Sequence, residues 1–118
     1  MTNTETAQRF VQAFAGHDVA TMTSLLTEDF TFEGPMMQHD GRQDFLDSLS
    51  NCAGWKMSVE FLEALESDTQ AVLLYRWSMH APVSQSLLMS EWYELRDGKI
   101  CAVRLVFDSS QFTLPTAA

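Results

Sequence analysis

Apolar residues near the start of the chain recur at helical spacing. Ala7, Phe10, Val11 and Phe14 fall at i, i+3, i+4 and i+7, the pattern of a helix with one buried face. Thr2 with Glu5 forms a capping-box signature before it, and Gly16 is a stop after it. Asp18 then caps a second helix with Val19, Met22, Leu25 and Leu26 on one face. From Asp29 to Glu33 the period changes to two, with Phe30 and Phe32 alternating with polar residues, so a short strand is expected, ended by Gly34-Pro35. A third helix carries Phe45, Leu46, Leu49, Cys52 and Ala53, with Asp40 and Gln43 as its capping box.

The second half reads as strands. Lys56 to Glu66, Gln70 to His80, Val83 to Leu95 and Lys99 to Asp108 are separated by Ser67-Asp68, Ala81-Pro82 and Asp97-Gly98. Three helices followed by a meander of long antiparallel strands is an α+β pattern, with the helices across one face of a curved sheet. The chain is one domain over residues 1–118, with a loose tail from about 109 to 118.

The last hairpin decides the environment of Glu91. A two-residue Asp97-Gly98 turn pairs Arg96 with Lys99 and sets Glu91 opposite Arg104, as a cross-strand ion pair. A three-residue loop from Arg96 to Gly98 pairs Leu95 with Lys99 instead. That register gathers Leu87, Met89, Glu91, Tyr93, Val103, Leu105 and Phe107 on one face, and Ser86, Leu88, Ser90, Trp92, Glu94, Ala102, Arg104 and Val106 on the other. It separates polarity better and is preferred. It leaves Glu91 among apolar neighbours, where desolvation raises a carboxyl pKa into the range useful for acid–base chemistry. In Gln70 to His80, polarity puts Tyr75, Trp77 and Met79 inside. The opposite parity would put Arg76 inside, in reach of Glu91.

Charge narrows the partners. Sixteen acidic against seven basic residues give −9, which argues against nucleic acid and anionic membranes. The N-terminal residues lack a signal-peptide pattern, and Cys52 and Cys101 have no metal or redox spacing, so a cytoplasmic protein with reduced thiols is expected. His17, His39 and His80 lack ligand spacing, and no phosphate loop or nucleophile elbow occurs, so neither metal nor cofactor is expected.

The order Phe10-Val11-Gln12-Ala13-Phe14, His17-Asp18, Leu26-Thr27-Glu28-Asp29-Phe30, Phe32-Glu33-Gly34-Pro35, Gly41-Arg42-Gln43-Asp44-Phe45 and Arg96-Asp97-Gly98-Lys99-Ile100 resembles the nuclear transport factor 2-like superfamily, in its SnoaL-like and ketosteroid-isomerase-like branch. The resemblance implies a cone of curved sheet closed by three helices around a deep apolar pocket, and a homodimer through the open sheet face. It implies isomerase, cyclase, epoxide hydrolase, dehydratase or purely binding roles. The steroid isomerase Tyr and Asp base correspond to Phe10 and Gly34, and its protonated Asp to Glu91. Arg76 corresponds to the epoxide hydrolase Arg, and Leu105 to its last-strand Asp. Both known constellations are therefore incomplete.

The expected pocket is lined by Phe10, Phe14, Phe32, Met37, Phe61, Arg76, Met89, Tyr93, Val103, Leu105 and Phe107, with Glu91 and His39 as acid–base candidates. His39 lies in a loop that the resemblance places near the pocket mouth, and His titrates near neutral pH. The expected ligand is a small apolar molecule. If Trp77 and Trp92 both face outward, they form the dimer patch. The alternative is a non-catalytic binding or assembly module of the same fold.

Overall fold

The structure is a computed structural model that describes residues 1–115. Helix α1 spans Asn3–Ala15, with Thr2 and Glu5 closing the expected capping box. Its N-terminus is tied to a distant turn: Asn3 donates to the Ser67 and Asp68 carbonyls, and Thr4 to Glu66. Gly16 caps the C-terminus of α1 as expected, and the left-handed residue that follows is His17 (φ 57°). The His17 ring is bonded to the Trp55 carbonyl at 2.6 Å, which joins the helix end to a second loop. Helix α2 spans Val19–Leu25, capped by Asp18 as expected. Leu26 belongs to strand β1 (Leu26–Glu33), longer than the alternation of Phe30 and Phe32 indicated.

Three short-range expectations are corrected. Gln38–Asp40 is a strand, β2, which pairs antiparallel with Thr31–Glu33 rather than looping freely. Helix α3 (Arg42–Ser48) has Gly41, not Asp40, at its N-cap and no side-chain cap. Gln43 bonds Asp47, and Asp44 accepts from the Asp40 amide, so no capping box forms. Gly41 at φ 98° is in a conformation that L side chains rarely adopt, which explains the break. The apolar run after α3 tightens into a 3₁₀ turn at Leu49–Cys52.

Strands β3 (Lys56–Glu66), β4 (Gln70–Ala81), β5 (Gln85–Arg96) and β6 (Lys99–Val106) form the antiparallel meander. Strand β1 joins β6 in parallel, so the six-stranded sheet is mixed, in the order β2-β1-β6-β5-β4-β3. Together with the three helices this is an α+β fold. The helices cover one sheet face. Between them lies an aromatic cluster in which Phe45 contacts Phe30, Phe32 and Phe10 at centroid distances of 5.2, 5.4 and 5.9 Å. Tyr93 meets Phe10 edge-on at 6.3 Å.

The last hairpin combines the two geometries weighed above. Arg96 pairs with Lys99 across a two-residue turn, with Asp97 and Gly98 both left-handed at φ 54° and 77°. The three-residue loop is therefore wrong. The faces nevertheless sort as that loop required, because the register slips once further along: Leu95 pairs with Ile100, but Glu94 pairs with Ala102. Cys101 is the extra residue, its thiol against the Glu94 carbonyl at 3.4 Å. One bulge restores the parity and places Glu91 opposite Leu105, not Arg104.

Candidate functional site

The concave face holds a cavity of about 380 Å³ between helices and sheet. Strand pairing decides which side chains reach it. Tyr75 pairs with Met89, Trp77 with Leu87 and Leu73 with Glu91, so the odd positions of β4 and β5 share the inner face. This settles the open parity of β4: Tyr75 and Trp77 are buried, and Arg76 is exposed on the other side. Arg76 therefore does not line the cavity, and Trp77, at 4 % exposure, is not on the outer face.

Glu91 is 3 % exposed and lines the cavity. Tyr75 donates to its Oε1 at 3.3 Å, and Tyr93 donates to the same oxygen. Burial pushes the Glu91 carboxyl up to about 7, although both tyrosine bonds favour the charged form and oppose the shift. Burial, together with the Glu91 charge, moves both tyrosines well above their ordinary value. The carboxyl is paired with neither arginine considered above: Arg104 is exposed opposite Trp92, and Arg76 opposite Leu88.

His39 also lines the cavity. Its Nδ1 is 3.0 Å from Asp44 Oδ2, while Nε2 is enclosed without a hydrogen-bond partner, beside Phe45 and Phe32. The orienting carboxylate is thus Asp44, one helical turn beyond Asp40. His39, Phe32, Val103 and Tyr93 are successive partners across β2, β1, β6 and β5. Three strand spacings separate His39 from Tyr93, roughly 14 Å along a flat sheet. Among the described residues no hydrogen bond joins His39 to Glu91.

Of the expected lining, Phe10, Phe14, Phe32, Met37, Met89, Leu105 and Phe107 face the cavity. Phe61, Tyr93 and Val103 do not line it: Phe61 packs against Tyr75, Tyr93 sits behind Glu91, and Val103 is fully in the core. Sequence reading missed Trp55 and the C-terminal segment. Trp55, Trp77 and Phe112 form a triangle with centroids 6.1–6.2 Å apart. Leu114 and Pro115 complete the wall. The expected loose tail is thus docked as far as residue 115; residues 116–118 lie outside the described residues. Gln85 holds it, donating to the Thr113 carbonyl at 2.8 Å and accepting from the Thr113 amide at 2.9 Å. Apolar Phe112 and Leu114 in a short terminal segment were the available signal. Replacing Gln85 by Ala should speed hydrogen exchange at the Thr113 amide about tenfold or more, with core amides unchanged. Equal exchange in both proteins would show that the aromatic contacts alone hold the segment.

Among the described residues, no group of His, Cys, Asp and Glu is arranged to hold a metal ion. No described helix is long and apolar enough to cross a membrane.

A curved mixed sheet closed by three helices is the fold of nuclear transport factor 2-like proteins. A family model for the SnoaL-like domain matches residues 7–103, and the chain belongs to that family. No curated protein matches it. Among solved structures it is similar to an NTF2-like protein of unknown function from Cytophaga hutchinsonii, at 22 % identity over 93 % of each chain, with a TM-score of 0.78. It is also similar to a protein of ketosteroid isomerase-like fold from Catenulispora acidiphila in complex with trimethylamine (16 % identity, 93 % of this chain and 90 % of that one, TM-score 0.81). A third is an epoxide hydrolase of the LEH-like kind from M. tuberculosis (16 % identity, 92 % and 84 %, TM-score 0.82). At these identities the likeness concerns the fold.

Proposed function

We propose that this protein binds a small apolar molecule in the cavity and transfers a proton to or from it without a cofactor, with Glu91 as the acid–base group. The observation that carries this reading is a buried carboxyl, pushed up to about 7 by desolvation, on a cavity lined mainly by apolar side chains with His39, Ser48 and Asn51 among them. Near neutral pH such a group holds comparable populations of acid and base and so works in either direction. Tyr75 and Tyr93 fix its orientation through Oε1. The cavity is within the usual range for small-molecule sites. The Catenulispora protein, in complex with trimethylamine, adds that a protein of this fold can bind a small molecule. His39 is the second acid–base candidate. Its enclosed Nε2 must be uncovered by a ring movement before it can exchange a proton with a ligand.

The test is deuterium exchange at the carbons next to the carbonyl in a panel of small cyclic ketones and amino ketones, followed by NMR. A bound member should exchange, and Glu91→Gln should slow that exchange about 10²–10⁴-fold. Compounds that raise the melting temperature yet never exchange would favour the alternative, a non-catalytic binding module.

We also propose that two copies associate through the outer sheet face. There Trp92, Leu88 and Val106 are 51 %, 47 % and 60 % exposed. Val72 sits beside Trp92. Arg76 and Arg104 share this face with Glu60 and Glu94, so a two-fold arrangement can set cations against anions. Sedimentation at micromolar concentration should give a dimer for the parent and a monomer for Trp92→Glu. A monomeric parent would rule the association out.

A further inference from the structure

We propose, resting on the reading that the cavity receives an apolar small molecule, that this molecule is a hydrophobic amine whose nitrogen seats against Glu91 and Tyr75 and whose apolar part extends along the cavity toward Trp77, Trp55 and Phe112. What the site lacks is positive charge. No Lys or Arg is among the residues that line the cavity. Arg76 and Arg104, the cations nearest in register, lie on the opposite sheet face. The groups facing Glu91 are the Tyr75 hydroxyl from β4 and the Tyr93 hydroxyl from its own strand, while β6 presents Leu105. Across the cavity the one basic group is His39, already bonded to Asp44.

Both tyrosine hydroxyls converge on Oε1, and among the described residues no hydrogen bond reaches Oε2. That oxygen is the one left for a ligand. A buried carboxylate without a cation is costly, so the empty site favours the protonated acid. An amine changes this balance. Its free base takes the Glu91 proton: the carboxyl O–H breaks, an N–H forms, and the ammonium stays bonded to Oε2. Tyr75 at Glu91 offers a π face to the N-alkyl groups, and Trp77, Trp55 and Phe112 further along the cavity offer apolar surface to the rest of the molecule. A neutral hydrocarbon gains only the apolar burial, and an anionic ligand meets a carboxyl that can only remain protonated. The net charge of −9 also draws cations toward the molecule.

Three probes of one shape separate these cases by calorimetry on the full chain: N,N-dimethylbenzylamine, isobutylbenzene and phenylacetate. The amine should bind the parent protein about tenfold more tightly than the hydrocarbon, with phenylacetate weakest. Near pH 6 the free amine is an ammonium and Glu91 holds its proton, so ion-pair formation should release about one proton, read from the buffer dependence of the heat. In Glu91→Gln the amine advantage should vanish while the hydrocarbon still binds. The Glu91 carboxyl ¹³C signal of the parent provides a readout free of any folding defect: it should show the ionised form with the amine and the acid form with isobutylbenzene. An amine no tighter than the hydrocarbon, an advantage that survives Glu91→Gln, or an unchanged ¹³C signal overturns the proposal and leaves the cavity reading standing. No binding of any probe overturns both.

Discussion

The free energy of unfolding should fall by ~3 kcal/mol as pH rises from about 4.5 to about 7, and this fall should be absent from Glu91→Gln. The sign follows from proton counts. Folding raises the Glu91 pKa from 4.5 to about 7, so between these values the native state holds a proton that the unfolded chain has lost. The stabilisation is complete below the unfolded value and is lost as pH rises through the folded one. Other carboxylates act in the opposite sense. The Thr2 amide and hydroxyl lower Glu5, and Thr21 lowers Asp18. Arg96 lowers Asp29, His39 lowers Asp44, and Thr4 lowers Glu66. Their contribution is present above their ordinary values and is lost as pH falls through the lowered ones, a window below that of Glu91. Gln at position 91 keeps a carbonyl to accept from the tyrosines and removes the titration. Urea unfolding near pH 5, 6 and 8 tests this; parallel curves for the two proteins would refute the assignment of the buried titration to Glu91.

Phe45→Ala should cost about 3–5 kcal/mol, the usual range for deleting a buried ring, which for a domain of this size lowers the melting temperature by roughly 12–20 °C. Phe45 is 2 % exposed, on a helix of only seven residues that brings no side-chain cap of its own. Its ring stacks on Phe32 at 5.4 Å and meets Phe30 edge-on at 5.2 Å. It also meets the His39 ring at 5.8 Å, so it packs the core and shields the histidine together. Phe10 from α1, Phe30 and Phe32 from β1 and His39 from β2 pack around the ring, which also borders the cavity, so its removal enlarges a space already present. Phe45→Leu should recover most of the loss, because it refills much of the volume. Thermal unfolding monitored by circular dichroism reads both. A loss below about 1 kcal/mol for Phe45→Ala would mean that the cluster relaxes into the void.

How far the candidate site could be read from sequence depended on local pattern. Glu91 stood out because its neighbours at i±2, Met89 and Tyr93, are apolar, and alternation alone puts them on one face. His39 was visible as a residue type, but its partner was not: a cap role drew attention to Asp40, whereas Gly41 breaks the chain and lets Asp44 turn back. The side taken by Tyr75 and Trp77 is not local information, because an amphipathic strand carrying Arg76 and Ser78 on one parity and aromatics on the other fixes two faces but not which is inside. Trp55 and Phe112 lie outside the regular elements, where periodicity has nothing to act on.

The sequence by itself determined the three helices, the long strands and the α+β class, since helix caps, periods of 3.6 and 2, and turn residues all act over a few neighbouring positions. It also determined that Glu91 belongs with apolar side chains on its own strand. Tertiary structure alone decided what that carboxyl touches. The bulge at Cys101 sets Leu105 across from it, the register of β4 brings in Tyr75, and the docked terminal segment closes the wall through Gln85. Strand register and segment docking are settled by the summed burial of residues far apart in the chain, and no short window of sequence contains that sum.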